Sequence, residues 1–142
     1  MKISNKKLLA EFRTSGLCGY CGKNCKVREP AHLISKGSGG SDLRCNLIAL
    51  GSTLIMECRC HSTSHNANSG NQQHPNPKDL LKKVAQREKV SPEQIRAIVW
   101  FIGNRLDKHD SRERIEEKID NWEAGQMVKW IVRRELVEAG KI

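Results

Sequence analysis

The chain has 142 residues, with 25 Lys and Arg against 16 Asp and Glu, a formal charge of +9 and a pI near 9.5. That length leaves room for one domain, or a small domain with an appendage, because about 100 residues are needed to bury a sizeable core, and it excludes a third unit. The excess positive charge favours a polyanionic partner through phosphate contact and counterion release, although a basic surface also serves solubility.

In MKISNKKLLAEF the apolar residues break off after a few positions, so the segment reads as an N-terminal helix of the core and not as a signal peptide. No apolar run approaches the roughly 18 residues of a membrane span. The expectation is a soluble, cytoplasmic protein with no membrane partner. From Gly16 to His65 the chain is turn-rich, and its apolar runs, Ala31 to Ile34, Leu47 to Leu50 and Leu54 to Met56, are too brief for independent helices. Strands and turns are predicted there. Residues 1–77 hold 10 basic and 4 acidic side chains, against 15 and 12 in residues 78–142. The first part, with the more one-signed charge, is the part expected to meet the polyanion.

Cysteines come next in the argument. Cys18-Gly-Tyr-Cys21 is a C-x2-C turn, and Cys58-Arg-Cys60 is a second close pair that can complete a four-thiolate zinc site. In a chain without a signal peptide, spacing of this kind points to metal more than to disulfides. A structural zinc also answers a need, since some 65 residues poor in large apolar side chains gain little from burial, and metal ligation contributes roughly 10–16 kcal/mol in small zinc modules. Buried, unliganded cysteines are the plain alternative. Cys25 competes as a ligand, while Cys45, beside an apolar run, reads as a small core residue. His61 and His65 follow at i and i+4; on a helix both imidazoles face one side and can hold one further metal ion. Solvated surface histidines are the plain alternative for that pair.

Residues 67–77 lie within NANSGNQQHPNPKD, which is polar, carries Pro75 and Pro77, and reads as a linker. Beyond it, residues 78–142 turn helical. Ser91-Pro92-Glu93 is a helix start, with Ile95, Ile98, Val99, Ile102 and Leu106 following at spacings of three and four. Asp110 or Ser111 starts another helix bearing Ile115, Ile119 and Trp122, and Gly125 interrupts the register before Val128, Ile131, Val132 and Leu136 resume it. The default for this region is a small bundle, with Trp100, Trp122 and Trp130 joining the aliphatic stripes against the core; a homodimer contact is the alternative.

The order of the N-terminal pieces carries a resemblance. C-x2-C, then Ala31-His32-Leu-Ile-Ser-Lys-Gly37-Ser-Gly39-Gly40-Ser-Asp42, then Asn46-Leu-Ile-Ala-Leu50, then Cys60-His61-x3-His65, resembles the HNH endonucleases of the ββα-metal type, in particular the phage and prophage branch with a Gly-x-Gly-Gly loop. The likeness covers about residues 18 to 66. It implies an α+β chain: a small zinc-stapled HNH core over residues 1–66 and a helical C-terminal region that serves packing, DNA contact or dimerisation. It implies a metal-dependent DNA endonuclease, with structural zinc on Cys18, Cys21, Cys58 and Cys60 and a catalytic divalent ion (Mg, Mn or Zn) held by His61 and His65. His32 becomes the general base, Asn46 the residue that orients it or the metal-bound groups across the hairpin, and His61 a catalytic position as well. Lys36, Arg44 and Arg59 flank these segments and are the expected phosphate contacts.

Two departures from the family pattern matter. The position before the catalytic His commonly supplies a metal ligand, and Ala31 supplies none; Glu57 and Asp42 are candidate replacements. The usual C-x2-C-H is here Cys58-x-Cys60-His61, preceded by an extra stretch, Gly51 to Glu57. A zinc-stapled nucleic-acid-binding protein without catalysis therefore stands as the alternative, with an interaction protein built on the C-terminal helices as the third reading.

Overall fold

A computed structural model of the chain describes residues 1–52, 58, 60, 61 and 76–142. Helix α1 (Lys6–Phe12) starts where the Asn5 side chain accepts the Leu8 N–H at 3.1 Å. Two short strands, β1 (Gly16–Leu17) and β2 (Asn24–Cys25), pair antiparallel and carry the C-x2-C turn between them. A longer hairpin follows, β3 (Arg28–His32) with β4 (Leu47–Gly51), in a register that sets Arg28 against Gly51, Ala31 against Ile48 and His32 against Leu47. Its connection contains two single turns of 3₁₀ helix, Lys36–Ser38 and Arg44–Asn46. After the linker come α2 (Pro77–Glu88), α3 (Pro92–Arg105), α4 (Arg112–Asn121) and α5 (Gln126–Glu138). The fold is mixed α+β with its helices gathered at the C-terminal end.

The helix starts follow their local chemistry. Ser91 and Gln94 form a reciprocal capping box, Pro92 takes the first helical position of α3, and Ser111 caps α4 by accepting from the Arg114 N–H. Asn76 and Pro77 do the same for α2, so the last two linker positions are a helix start. Gly125 begins α5 without a side-chain cap.

Every residue of β4 is buried, which explains its continuous apolar run. Strand alternation sends Leu47 and Ala49 to a small cluster with Leu8 and Phe12 of α1, and Ile48 and Leu50 to the main core. That main core unites Ile3, Cys18, Ala31 and Leu43 with Leu80, Ile95, Ile102, Ile131 and Leu136, so the helices complete the burial that the N-terminal segments cannot achieve alone. The tryptophans depart from the expectation. Trp122 stacks on Phe101 with ring centroids 4.1 Å apart, but Trp100 and Trp130 are about half exposed, each lying under an arginine, Arg105 and Arg134. The aliphatic stripes suffice for the core, and the two rings fall outside them on their helices.

One buried carboxylate joins the halves. Glu135 of α5 accepts the backbone N–H of Arg44 at 2.7 Å and of Cys45 at 3.1 Å, and Arg134 donates to the same carboxylate at 2.6 Å. It thereby caps the 3₁₀ turn that leads into β4. Arg87 of α2 adds bonds to the carbonyls of Leu47 and Arg44. Among the described residues no helix is long and apolar enough to cross a membrane.

Candidate functional site

The sulfurs of Cys18, Cys21, Cys58 and Cys60 all lie within 4.8 Å of one another. Four thiolates around tetrahedral zinc, each bonded at about 2.3 Å, sit about 3.8 Å apart, so the cluster needs only a small contraction to close on an ion. The donor set is the one zinc prefers in structural sites. Backbone geometry serves it closely: a side chain at Gly51 would place its Cβ 2.0 Å from the Cys58 sulfur and 3.1 Å from that of Cys25, so only glycine lets β4 run beneath the cysteines. Burial opposes ionisation of Cys18, yet the backbone N–H groups of Cys21, Gly51 and Tyr20 outweigh it and bring this thiol down to about 7. Burial and the adjacent Cys18 push Cys60 up, and burial raises Cys21. An entering ion meets one ready thiolate and displaces protons from its neighbours. Cys25 is buried with its sulfur 3.6 Å from that of Cys58, a fifth thiol at the edge of the group. Cys45 is buried in the core, as expected from its apolar neighbours.

The second group surrounds His32 at the end of β3. Its Nε2 is 2.8 Å from Oδ1 of Asp42, and Lys36 approaches the same oxygen at 3.4 Å. Asp42 is buried and takes the Asn5 N–H on its other oxygen at 2.9 Å. Burial disfavours its charge, but the Asn5 N–H, the His32 ring and Lys36 together hold its carboxyl below the usual carboxylate range. An ionised carboxylate can only accept, so His32 donates from Nε2, and a neutral ring so held has its lone pair on Nδ1. His32 is partly exposed and, with Ala31, Ile34, Ser38 and Pro77, lines an open cleft of about 430 Å³.

Asn46 is fully buried and acts on backbone. Its Oδ1 accepts the Ile34 N–H at 2.8 Å, while its Nδ2 donates to the carbonyls of Ile34 and Ser41, each at 3.0 Å. The expected bond across the hairpin is present, but it holds the loop after His32 and not the imidazole, whose partner is Asp42. In the loop after His32, a Cβ at Gly37 or Gly39 would meet nothing within 4 Å. Gly39 does take a left-handed φ of 88°, but at Gly40 a Cβ would fall 1.8 Å from the Ile34 carbonyl oxygen, so Gly40 is required by backbone against backbone.

Cys60 and His61 are helical, as expected, and the Nδ1 of His61 contacts Oε2 of Glu29. Glu29 and Ala31 alternate onto one face of β3, and Pro30 and His32 onto the other. Among the described residues, no hydrogen bond joins His32 to His61. Asp42 therefore belongs with His32 and not with His61, and the carboxylate that reaches His61 is Glu29. The two-residue spacing put Glu29 on the strand face of Ala31, but nothing in the sequence paired it with His61, and Ser52, which bonds Glu29, carried no signal. His65, Arg59 and Glu57 lie outside the described residues.

Lys36 is about half exposed, at the mouth of the His32 group. Arg44 has a different setting: its guanidinium bonds Glu11 at 2.8 Å and Glu138 at 3.1 Å and lies over the Phe12 ring. Two carboxylates already share its guanidinium. Comparison with protein-family models, curated proteins and solved structures finds no match.

Proposed function

We propose that the chain is a metal-dependent DNA endonuclease of the HNH type that hydrolyses phosphodiester bonds, with a structural zinc on Cys18, Cys21, Cys58 and Cys60. The observation that carries this reading is the His32–Asp42 pair in an open cleft, at the end of a hairpin whose loop Asn46 clasps from within. Asp42 holds the ring with Nδ1 as the free base, the atom that would take a proton from attacking water. Asn46 fixes the backbone on which that orientation depends. Lys36 adds positive charge at the mouth, where a backbone phosphate arrives. His61 and Glu29 bring together an imidazole and a carboxylate, donor types that divalent ions accept, where the HNH likeness implies a catalytic ion. Such an ion, when bound, stabilises charge developing on the phosphate and its leaving oxygen.

A second reading has its own support. Ala31 is buried in the core, where it offers no donor, and this favours a zinc-stapled DNA-binding protein without catalysis. Plasmid nicking with Mg²⁺ or Mn²⁺ separates the two. Wild type is expected to nick, and His32→Ala to lose nicking while keeping DNA affinity, because it removes a role made in the transition state. No nicking by wild type under any of these metals, with DNA binding intact, selects the second reading.

A further inference from the structure

A second open cleft, of about 660 Å³, shares no lining residue with the one beside His32. Its walls come from α1, both strands of the β3–β4 hairpin, α2 and α5, and they carry five cations against two carboxylates. Both carboxylates are committed: Glu11 to Arg44 at 2.8 Å, and Glu88 to Arg134 at 2.7 Å and to Arg87 at 3.1 Å. Arg28 and Lys83 have no carboxylate partner among the described residues. Arg28 is nonetheless held firmly. Its guanidinium donates to the Thr14 carbonyl at 2.8 Å, the Leu17 carbonyl at 3.1 Å and the Thr14 hydroxyl at 3.1 Å. These acceptors are neutral, so they fix the fork without cancelling its charge, and they leave two of its five N–H groups for an anion. A side chain ordered beforehand loses little entropy when it takes a ligand. Lys83, exposed on α2 one turn before Arg87, adds a flexible ammonium to the same cleft. Apolar side chains between them, Phe12, Ala49 and Val84, keep the local dielectric low and strengthen the field of the two free charges.

We propose that this cleft binds a backbone phosphate of DNA through Arg28 and Lys83, at a point separate from the His32 site. The proposal rests on the DNA readings above only in taking DNA as the source of the phosphate. Helix α1 relates the two sites: the Asn5 N–H at its start bonds Asp42 beside His32, and Thr14, just past its end, accepts from Arg28. Arg28 and His32 stand at opposite ends of β3. Four strand steps of about 3.3 Å separate them by about 13 Å, close to four base-pair steps of about 3.4 Å, so one duplex is long enough to meet both.

The test measures binding of a labelled DNA duplex by the full chain, by fluorescence anisotropy over a salt series without added divalent metal. Lys83→Ala and Arg28→Gln are compared with wild type and with Lys82→Ala, which removes an equal charge from the adjacent exposed position of α2, outside the cleft. Lys83→Ala and Arg28→Gln should each lower the slope of log K against log salt by about one unit, and Lys82→Ala should leave it unchanged. An unchanged slope in Lys83→Ala or in folded Arg28→Gln overturns the proposal. An equal loss in Lys82→Ala also overturns it, in favour of diffuse attraction to a basic helix. Should Arg28→Gln fail to fold by circular dichroism, Lys83→Ala against Lys82→Ala decides. Inorganic phosphate at constant ionic strength is the second probe, followed by amide shifts at Thr14 and Lys83: saturation by free phosphate with no change of DNA slope in the variants overturns the proposal in favour of a small-anion site. Nicking with Mg²⁺ or Mn²⁺ is assayed on the same proteins. Wild type that nicks with a slope independent of Arg28 and Lys83 sinks this proposal alone, whereas a slope that depends on them without nicking sinks the nuclease reading alone.

Discussion

Replacing Glu135 with alanine removes the acceptor that caps the Arg44–Asn46 turn from the far end of the chain. Two backbone N–H groups, on Arg44 and Cys45, lose their partner, and Arg134 loses one of its two carboxylates, keeping Glu88 at 2.7 Å. Leaving a buried donor unsatisfied costs about 1–3 kcal/mol, and breaking one side of a buried charge pair about 3–5 kcal/mol. These overlap because one side chain serves both, so a loss of about 4 kcal/mol is expected. For a chain of this size 1 kcal/mol moves Tm by about 2–4 °C, which places the variant about 8–16 °C below wild type. Thermal unfolding followed by circular dichroism measures it, and amide exchange supplies the local signature, faster exchange at Arg44 and Cys45 ahead of their neighbours. Glu135→Gln keeps one oxygen acceptor and should lose less. The pH dependence has a definite sign. Burial raises the Glu135 carboxyl above its usual range despite Arg134 and the two N–H groups, so its stabilisation is fullest below the unfolded pKa and declines as pH rises through the raised folded value. The gap between wild type and Glu135→Gln should narrow from pH 4 to pH 7. A Glu135→Ala protein within about 1 kcal/mol of wild type, with unchanged exchange at Arg44 and Cys45, refutes this account of how the helices hold the loop.

Protein purified without added metal should carry about one zinc per chain, since four thiolates select that ion; elemental analysis finding none in folded protein removes the staple, and chelation of the bound zinc should unfold the hairpin region first. Asp42→Asn should flatten the acid limb of stability: the folded carboxyl of Asp42 lies below its unfolded value near 3.9, so its contribution is full above that value and is lost as pH falls through the folded one, visible as a shallower loss of Tm below pH 4. Lys36→Ala should lower the slope of log K against log salt for DNA by about one unit, while Arg44→Ala should leave the slope and cost stability instead; equal slope changes in both would return Arg44 to the interface. Gly40→Ala, whose Cβ would lie 1.8 Å from the Ile34 carbonyl oxygen, should destabilise more than Gly37→Ala, which meets nothing within 4 Å; equal melting points would show that the loop backbone yields.

Local chemistry was legible wherever neighbours in sequence decide the outcome. The capping signals at Ser91 and Ser111, the spacing of Ile95, Ile98 and Ile102, and the break before Gly125 depend on bonds within a few residues, and each appears where its pattern places it. The two cysteine pairs likewise announced one cluster, because thiols at such spacing have few other uses in a chain of this composition. Long-range pairing was not legible. That Asp42 faces His32, that Glu29 faces His61, that Asn46 holds backbone instead of a ring and that Arg44 is neutralised by Glu11 and Glu138 all follow from which face of a strand meets which element. Glu135 shows the reason most plainly: on its own helix it is one more acid at a core spacing, and only the packing of α5 against the Arg44–Asn46 turn, some 90 residues away, turns a buried charge into the cap of that turn. Composition and periodicity record which residues want partners, and the tertiary structure alone decides which partners they receive, because burial leaves each polar group only the neighbours that packing brings within reach.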